Sequence, residues 1–163
     1  MYDDLIRKGR KTRLYTPADA QRVEHGRSEI ERLLPHRDPF LFVDRIDAVD
    51  LEGGSIAGRR TFLSTDPLFA GHFPGDPILP GVLQVEAMGQ LGVCLYALRT
   101  VPRGVRAFKI HHAVFLDAVR PGEVSLLAQN LETNDYTAVC AGQLLVGDTI
   151  CCFAIMEVYF VET

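Results

Sequence analysis

The segment GHFPGDPILPG (71–81) runs directly into VLQVEAMGQLGVCLYAL (82–98), and this junction constrains the fold more than any other feature of the chain. The second stretch predicts a helix with apolar residues on nearly all sides: Val82, Leu83, Val85, Met88, Leu91, Val93, Leu95 and Leu98. A helix apolar all round has to be enclosed, not laid on a surface. A bilayer is one possible enclosure, but Gln84, Glu86 and Gln90 lie inside the run, and a carboxylate at mid-bilayer is expensive. Enclosure by protein is therefore expected, with no membrane partner.

The rest of the chain supplies strands for that enclosure. FLFVDRIDAVD and GSIAGRRTFL are strand-like and joined through LEGG, which suits a hairpin. After the helix come VRAFKIHHAVFLDAV, EVSLLAQNLET, YTAVCAGQLLV and TICCFAIMEVYFVE, with turn signals at Pro121-Gly122, Asn134-Asp135 and Gly147-Asp148. This order predicts two strands, one long helix from about 81 to 99 and a meander of four strands: an α+β domain with a curved antiparallel sheet around the helix. Upstream, SEIERLLPHRDP predicts a short helix, capped by Ser28 with Glu31 and stopped by Pro35. Residues 1–27 read as a basic extension and 28–163 as a single domain. RKGRKTR (7–13) holds five bases without apolar periodicity, which suggests a solvated arm or a dock for an acidic partner.

Composition narrows the partners. The formal net charge is −4, which gives no basis for nucleic-acid binding. The four cysteines (94, 140, 151, 152) form no C-x-x-C pair and read as reduced core residues of a cytoplasmic protein. Cys151 and Cys152, and likewise His111 and His112, are adjacent on presumed strands and so are expected on opposite faces. No further ligand spacing accompanies them, so no metal site is expected. His36 reads as a structural residue at a helix–strand corner.

Chemistry concentrates at the junction. Three prolines fix φ and three glycines allow bends in 71–81, so the segment is expected to be a rigid loop that aims His72. Gly81 would open the helix, its N–H free of intrahelical partners at the positive end of the dipole. Glu86 is expected buried in apolar surroundings, with Gln90 one turn on along the same face. A base, a carboxylic acid and an anion-stabilising N–H suit removal of a proton α to a carbonyl with departure of a β-hydroxyl.

LLPHRDPFLFVDRI, GHFPGDPILPGVLQVEAMGQLG and AVFLDAVRPGE together resemble the hot-dog-fold (3R)-hydroxyacyl-[acyl-carrier-protein] dehydratases, from about residue 28 to the end. The resemblance implies a six-stranded antiparallel sheet wrapped around one helix, and homodimers, possibly trimers of dimers. It implies shared sites with His72 and Glu86 from different subunits, and no cofactor. His72 would take the α-proton and Glu86 would assist loss of the hydroxyl. The Gly81 N–H would polarise the thioester carbonyl, the Ile78 carbonyl would orient the imidazole, and Val82, Met88 and Gln90 would line the pocket. Glu at position 86 resembles the branch that dehydrates without isomerising. The bases usual after the position of Phe115 are replaced by Leu116 and Asp117, so docking of the acyl carrier protein is expected elsewhere: at Arg99, Arg103, Arg106 and Lys109, with the arm at 7–13 as the second candidate. The alternatives in the same fold are an acyl thioesterase and a non-catalytic subunit of a dehydratase heterodimer.

Overall fold

The computed structural model describes residues 1–101 and 103–162. The elements run α1 (Asp3–Gly9), β1 (Arg22–His25), α2 (Arg27–Leu33), β2 (Arg45–Asp50), β3 (Ser55–Phe62), α3 (Pro67–Gly71), α4 (Gly81–Arg99), β4 (Gly104–Phe115), β5 (Gly122–Thr133), β6 (Thr137–Val146) and β7 (Thr149–Val161). The strands form one antiparallel sheet in the order β1-β2-β3-β5-β6-β7-β4, with α4 packed against it. The α+β architecture is as the sequence predicts. The strand count is seven instead of six, because β1 adds Arg22 and His25 opposite Ala48 and Ile46.

The core forms where α4 meets the sheet. Val85, Ala87, Met88, Leu91, Cys94 and Leu95 are buried against Ile56, Leu126, Ala128, Leu144 and Ala154. Gly142 lets the helix come close: a Cβ there would lie 2.8 Å from Met88 Cβ. The helix is not enclosed all round within one chain. Val82, Glu86, Gly89 and Val93, spaced as one stripe, remain half-buried or exposed, and Val82 is 74% exposed.

Five local expectations are corrected. The four late strands are not a simple meander: β5, β6 and β7 form hairpins, but β4 pairs with β7 at the far edge, so Pro121-Gly122 opens a crossover. The β2 strand begins at Arg45, not Phe40, and Leu41–Val43 lead into it as buried irregular chain. Gly26, not Ser28, caps α2; its N–H donates to Glu29 Oε2 at 3.0 Å. A bulge between Ile110 and His112 turns both adjacent histidines to one face, where His111 pairs with Glu157 at 2.6 Å and His112 lies near Phe153. A second bulge leaves Cys151 between the paired residues Ile150 and Cys152, and both thiols join the main core.

The sixth correction concerns the arm. Residues 1–15 are not solvated throughout but cover the sheet face opposite α4. Tyr2, Leu5, Ile6 and Leu14 pack on Val139, Ala141, Phe153 and Ile155. Gly9 sits so close that a Cβ would overlap the Phe153 ring. Gln143, fully buried, donates to Gly9 O (2.6 Å) and Thr12 O (2.8 Å) and accepts from Leu14 N–H (2.8 Å). A buried amide with every bond made to the arm's backbone fixes its path.

Candidate active site

The His72 loop is held at both ends. Phe73 and Asp76 exchange backbone hydrogen bonds of 2.9 Å around Gly75, whose φ of 75° is where glycine is favoured. Leu79 N–H donates to Val119 O at 2.7 Å, and Arg120 pairs with Asp76 at 2.6 Å, so the β4–β5 crossover braces the loop. Within it, Ile78 N–H donates to His72 O at 2.8 Å, and His72 Nδ1 lies 2.7 Å from Ile78 O. A carbonyl can only accept, so the neutral ring carries its proton on Nδ1. Nε2 is then left with a lone pair, the state of a base. The Phe73 ring stacks on the imidazole at 4.1 Å between centroids.

Glu86 is placed by a second network. Gln90, 2% exposed on α4, accepts from Phe42 N–H at 2.8 Å and donates to Phe40 O at 3.0 Å. Those backbone partners fix which end of the amide is which. The Gln90 NH₂ must therefore also be the donor to Glu86 Oε1, at 2.9 Å. His36 Nε2 approaches the same oxygen at 3.6 Å. That separation is beyond hydrogen-bond reach, so Gln90 is the donor on Oε1, and Oε2 is the oxygen left open to carry a proton when the acid is neutral. The expected burial of Glu86 is not reached within one chain: its side chain is 36% exposed, because it lies on the open stripe of α4.

His36 is the residue sequence reading missed. Nothing in its spacing connects it to Glu86. It arrives there because the turn after α2 is fixed by Arg37, which donates to Leu34 O, His36 O and Glu31 O, and because Arg27 pairs with Asp38 at 2.6 Å. The Arg27 guanidinium holds the Asp38 carboxyl below its ordinary range.

Gly81 opens α4 after Pro80, as predicted. Leu83 and Gln84 N–H both turn to Pro80 O, leaving the Gly81 and Val82 N–H groups as the unpaired donors at this helix start among the described residues. The space beside the Gly81 Cα is taken by the Phe115 ring, 2.7 Å from an ideal Cβ, so glycine is needed here for close packing.

The other candidates disperse. Met88 is fully buried in the core, Val82 points outward, and Gln90 is tied to Glu86 and the 40–42 backbone. Arg103 is exposed but engaged along the surface, donating to Tyr96 OH and Asp135 O and lying 4.4 Å over the Phe160 ring. Arg99 lies over the Gly54 turn, and Arg106 and Lys109 are exposed on the edge strand β4. No ion pair joins His72 and Glu86 among the described residues. An open groove of about 720 Å³ at Arg22–Gly26, Arg45, Asp47 and Arg59 contains none of these groups.

Comparison with known proteins gives the family. The profile of the FabA-like domain matches residues 34–154. The chain is 35% identical over 137 residues to the 3-hydroxyacyl-[acyl-carrier-protein] dehydratase FabZ of Protochlamydia amoebophila, covering 83% of this chain and 89% of that protein. It is 42% identical over 106 residues to the FabZ of Caldicellulosiruptor saccharolyticus, covering 64% and 75%. Among solved structures, the dehydratase heterocomplex ApeI:P from Xenorhabdus doucetiae superposes with a TM-score of 0.66 at 15% identity, over 82% of this chain and 91% of that one. A mutant of the thioesterase PA1618 from Pseudomonas aeruginosa gives 0.57 at 20% identity, over 73% and 81%. These two show the shared hot-dog fold, and the profile and the FabZ relatives together show that the chain belongs to the FabA-like family of 3-hydroxyacyl-[acyl-carrier-protein] dehydratases.

Proposed function

We propose that the protein dehydrates (3R)-3-hydroxyacyl thioesters carried on acyl carrier protein to the trans-2-enoyl thioesters of fatty acid or related acyl-chain synthesis. The observation that carries this reading is the hydrogen bonding of the two side chains. The Ile78 carbonyl engages His72 Nδ1 and leaves Nε2 as the free nitrogen, and Gln90 engages Glu86 Oε1 and leaves Oε2 open. His72 takes the proton from C2, and that C–H electron pair becomes the C2=C3 bond. The C3–O bond breaks as Glu86 gives its proton to the leaving hydroxyl, and water departs. The Gly81 N–H, at the positive end of α4, stabilises charge on the thioester oxygen. Return of the proton from His72 to Glu86 through solvent restores both groups.

The reading includes a cytoplasmic homodimer with His72 and Glu86 of each site from different chains. Three features support it. The β4 edge is twelve residues long, with Phe108 64%, Ile110 57% and Phe115 52% exposed. Such an edge invites pairing with a second chain. The half-covered stripe of α4 carries Glu86 itself, and no hydrogen bond or ion pair joins His72 to Glu86 within one chain among the described residues.

The test is incubation with a pantetheine-linked 3-hydroxybutyryl thioester. Dehydration creates the ultraviolet absorbance of a conjugated enoyl thioester without free thiol. Release of thiol without that absorbance would replace this reading with a thioesterase.

A further inference from the structure

The arm forms a cationic groove that reaches the end of β4. Asp3, Ile6, Arg7, Arg10, Lys11 and Leu116 line a groove of about 440 Å³. Leu116 follows Phe115, whose ring covers Gly81 at the start of α4. The same crossover continues to Val119 and Arg120, which brace the His72 loop. The groove therefore meets the β4–β5 crossover at Leu116, next in sequence to the Phe115 whose ring covers Gly81.

Its charge is specific and held in place. Residues 7–13 carry five cations in a chain of net charge −4. Arg7 pairs with Asp4 and Arg13 with Asp148, whereas Lys8, Arg10 and Lys11 form no ion pair among the described residues and are exposed. Asp3 is the one acid lining the groove, and Asp117 follows Leu116 with Oδ1 engaged by Ala118 N–H. The buried Gln143 grips the arm through backbone atoms on either side of Arg10 and Lys11, so these cations are presented from a fixed path.

We propose that the arm is the docking surface for the carrier protein, an acidic partner whose anionic face lies on Arg10 and Lys11 while its pantetheine arm enters past Leu116 and Phe115. This rests on the reading that the substrate is carrier-bound. The surface replaces a basic edge that Leu116 and Asp117 do not provide, and it uses cations not already committed to the fold, unlike Arg103. Attraction of this kind acts mainly on encounter and is screened by salt.

The test titrates purified holo acyl carrier protein against the wild type, Arg10→Glu/Lys11→Glu and Arg103→Glu/Arg106→Glu, at low and high salt, and measures turnover of the carrier-bound and pantetheine-linked substrates. Affinity for the carrier is expected to fall about tenfold or more in the arm variant at low salt. Its turnover of the pantetheine substrate should be unchanged, and the Arg103/Arg106 variant should bind the carrier normally. Unchanged affinity in the arm variant overturns the proposal, as does a loss confined to the Arg103/Arg106 variant. So does salt-sensitive binding to phosphatidylglycerol vesicles with no carrier binding. A wild type that binds carrier through the arm but forms no enoyl product refutes the dehydratase reading alone, because the titration needs no turnover.

Discussion

Replacing Gln90 by Leu separates the structural from the chemical role of the network around Glu86. The amide makes three hydrogen bonds: from Phe42 N–H, to Phe40 O and to Glu86 Oε1. Leu has a similar volume and makes none of them. Each bond contributes about 1 kcal/mol net, and leaving the buried Phe42 N–H without a partner raises the loss to about 2–4 kcal/mol in all. With a urea slope of about 2 kcal/mol per molar, the unfolding midpoint should fall by about 1–2 M. Turnover should fall separately, because Oε1 loses its fixed donor and the proton on Oε2 is no longer aimed. A general acid contributes about 10²–10⁴-fold, and misdirecting it should forfeit about 10–100-fold of kcat with KM little changed. The assay is enoyl absorbance with a pantetheine-linked substrate, at a temperature where circular dichroism shows the variant folded. A midpoint shift of the expected size with wild-type kcat would mean that Gln90 only braces residues 40–42. An unchanged midpoint would mean that the three bonds contribute nothing.

Other outcomes follow from the same geometry. Glu86→Gln should keep its fold, since the new amide oxygen still accepts from Gln90, and lose about 10²–10⁴-fold in turnover; near-normal turnover would remove Glu86 from the chemistry. Mixing His72→Ala with Glu86→Gln protein and allowing subunit exchange should restore about one quarter of wild-type sites, because half the dimers are then mixed and each holds one intact site. No recovery after verified exchange would refute a site shared between chains. Cys94 and Cys152 are buried and their thiols are pushed up to about 12 by loss of solvation, so at pH 8 only on the order of one in 10⁴ of each is thiolate. Ellman's reagent should therefore leave both unreacted in the folded protein and react with all four cysteines in denaturant.

The junction at 71–98 was legible because its signals are local. Proline and glycine dictate a bent, stiff loop, and a long, largely apolar run dictates a helix that needs cover on most sides. What failed depended on contacts distant in sequence. His36 reaches Glu86 across fifty residues, and no periodicity records that approach. The bulges at His111 and Cys151 insert one residue out of register, which alternation cannot show. The arm was misread for a related reason. Its apolar residues, Tyr2, Leu5, Ile6 and Leu14, are too few and too irregular to announce a packed face. The clue lay in its partner. CCFAIM in β7 is apolar on successive residues, and so on both faces, which requires a second cover besides α4. Gln143, the one fully buried polar side chain of β6, marks where that cover attaches.

On the proposed reading, each chain carries two half-sites. The imidazole is complete once Ile78 accepts from Nδ1, and this needs only the loop's own backbone. The carboxyl of Glu86 is placed once Gln90 donates to Oε1, and this needs only residues 40–42 and α4. Neither half uses the other for its placement, so each can be preorganised before the two meet. The acid nevertheless stands on the one stripe of α4 that its own chain leaves uncovered, beside an unpaired strand edge. A general acid this exposed would exchange its proton with water and spend its hydrogen-bonding capacity on solvent. Covering that stripe with a second chain would exclude the water and bring a base to the acid in one step, and two-fold symmetry would do so at both sites at once. Docking of the carrier on the arm is compatible with such a dimer: β4 would be occupied by the partner, whereas α1 lies on the opposite sheet face, with Arg10 and Lys11 in the groove that reaches Leu116.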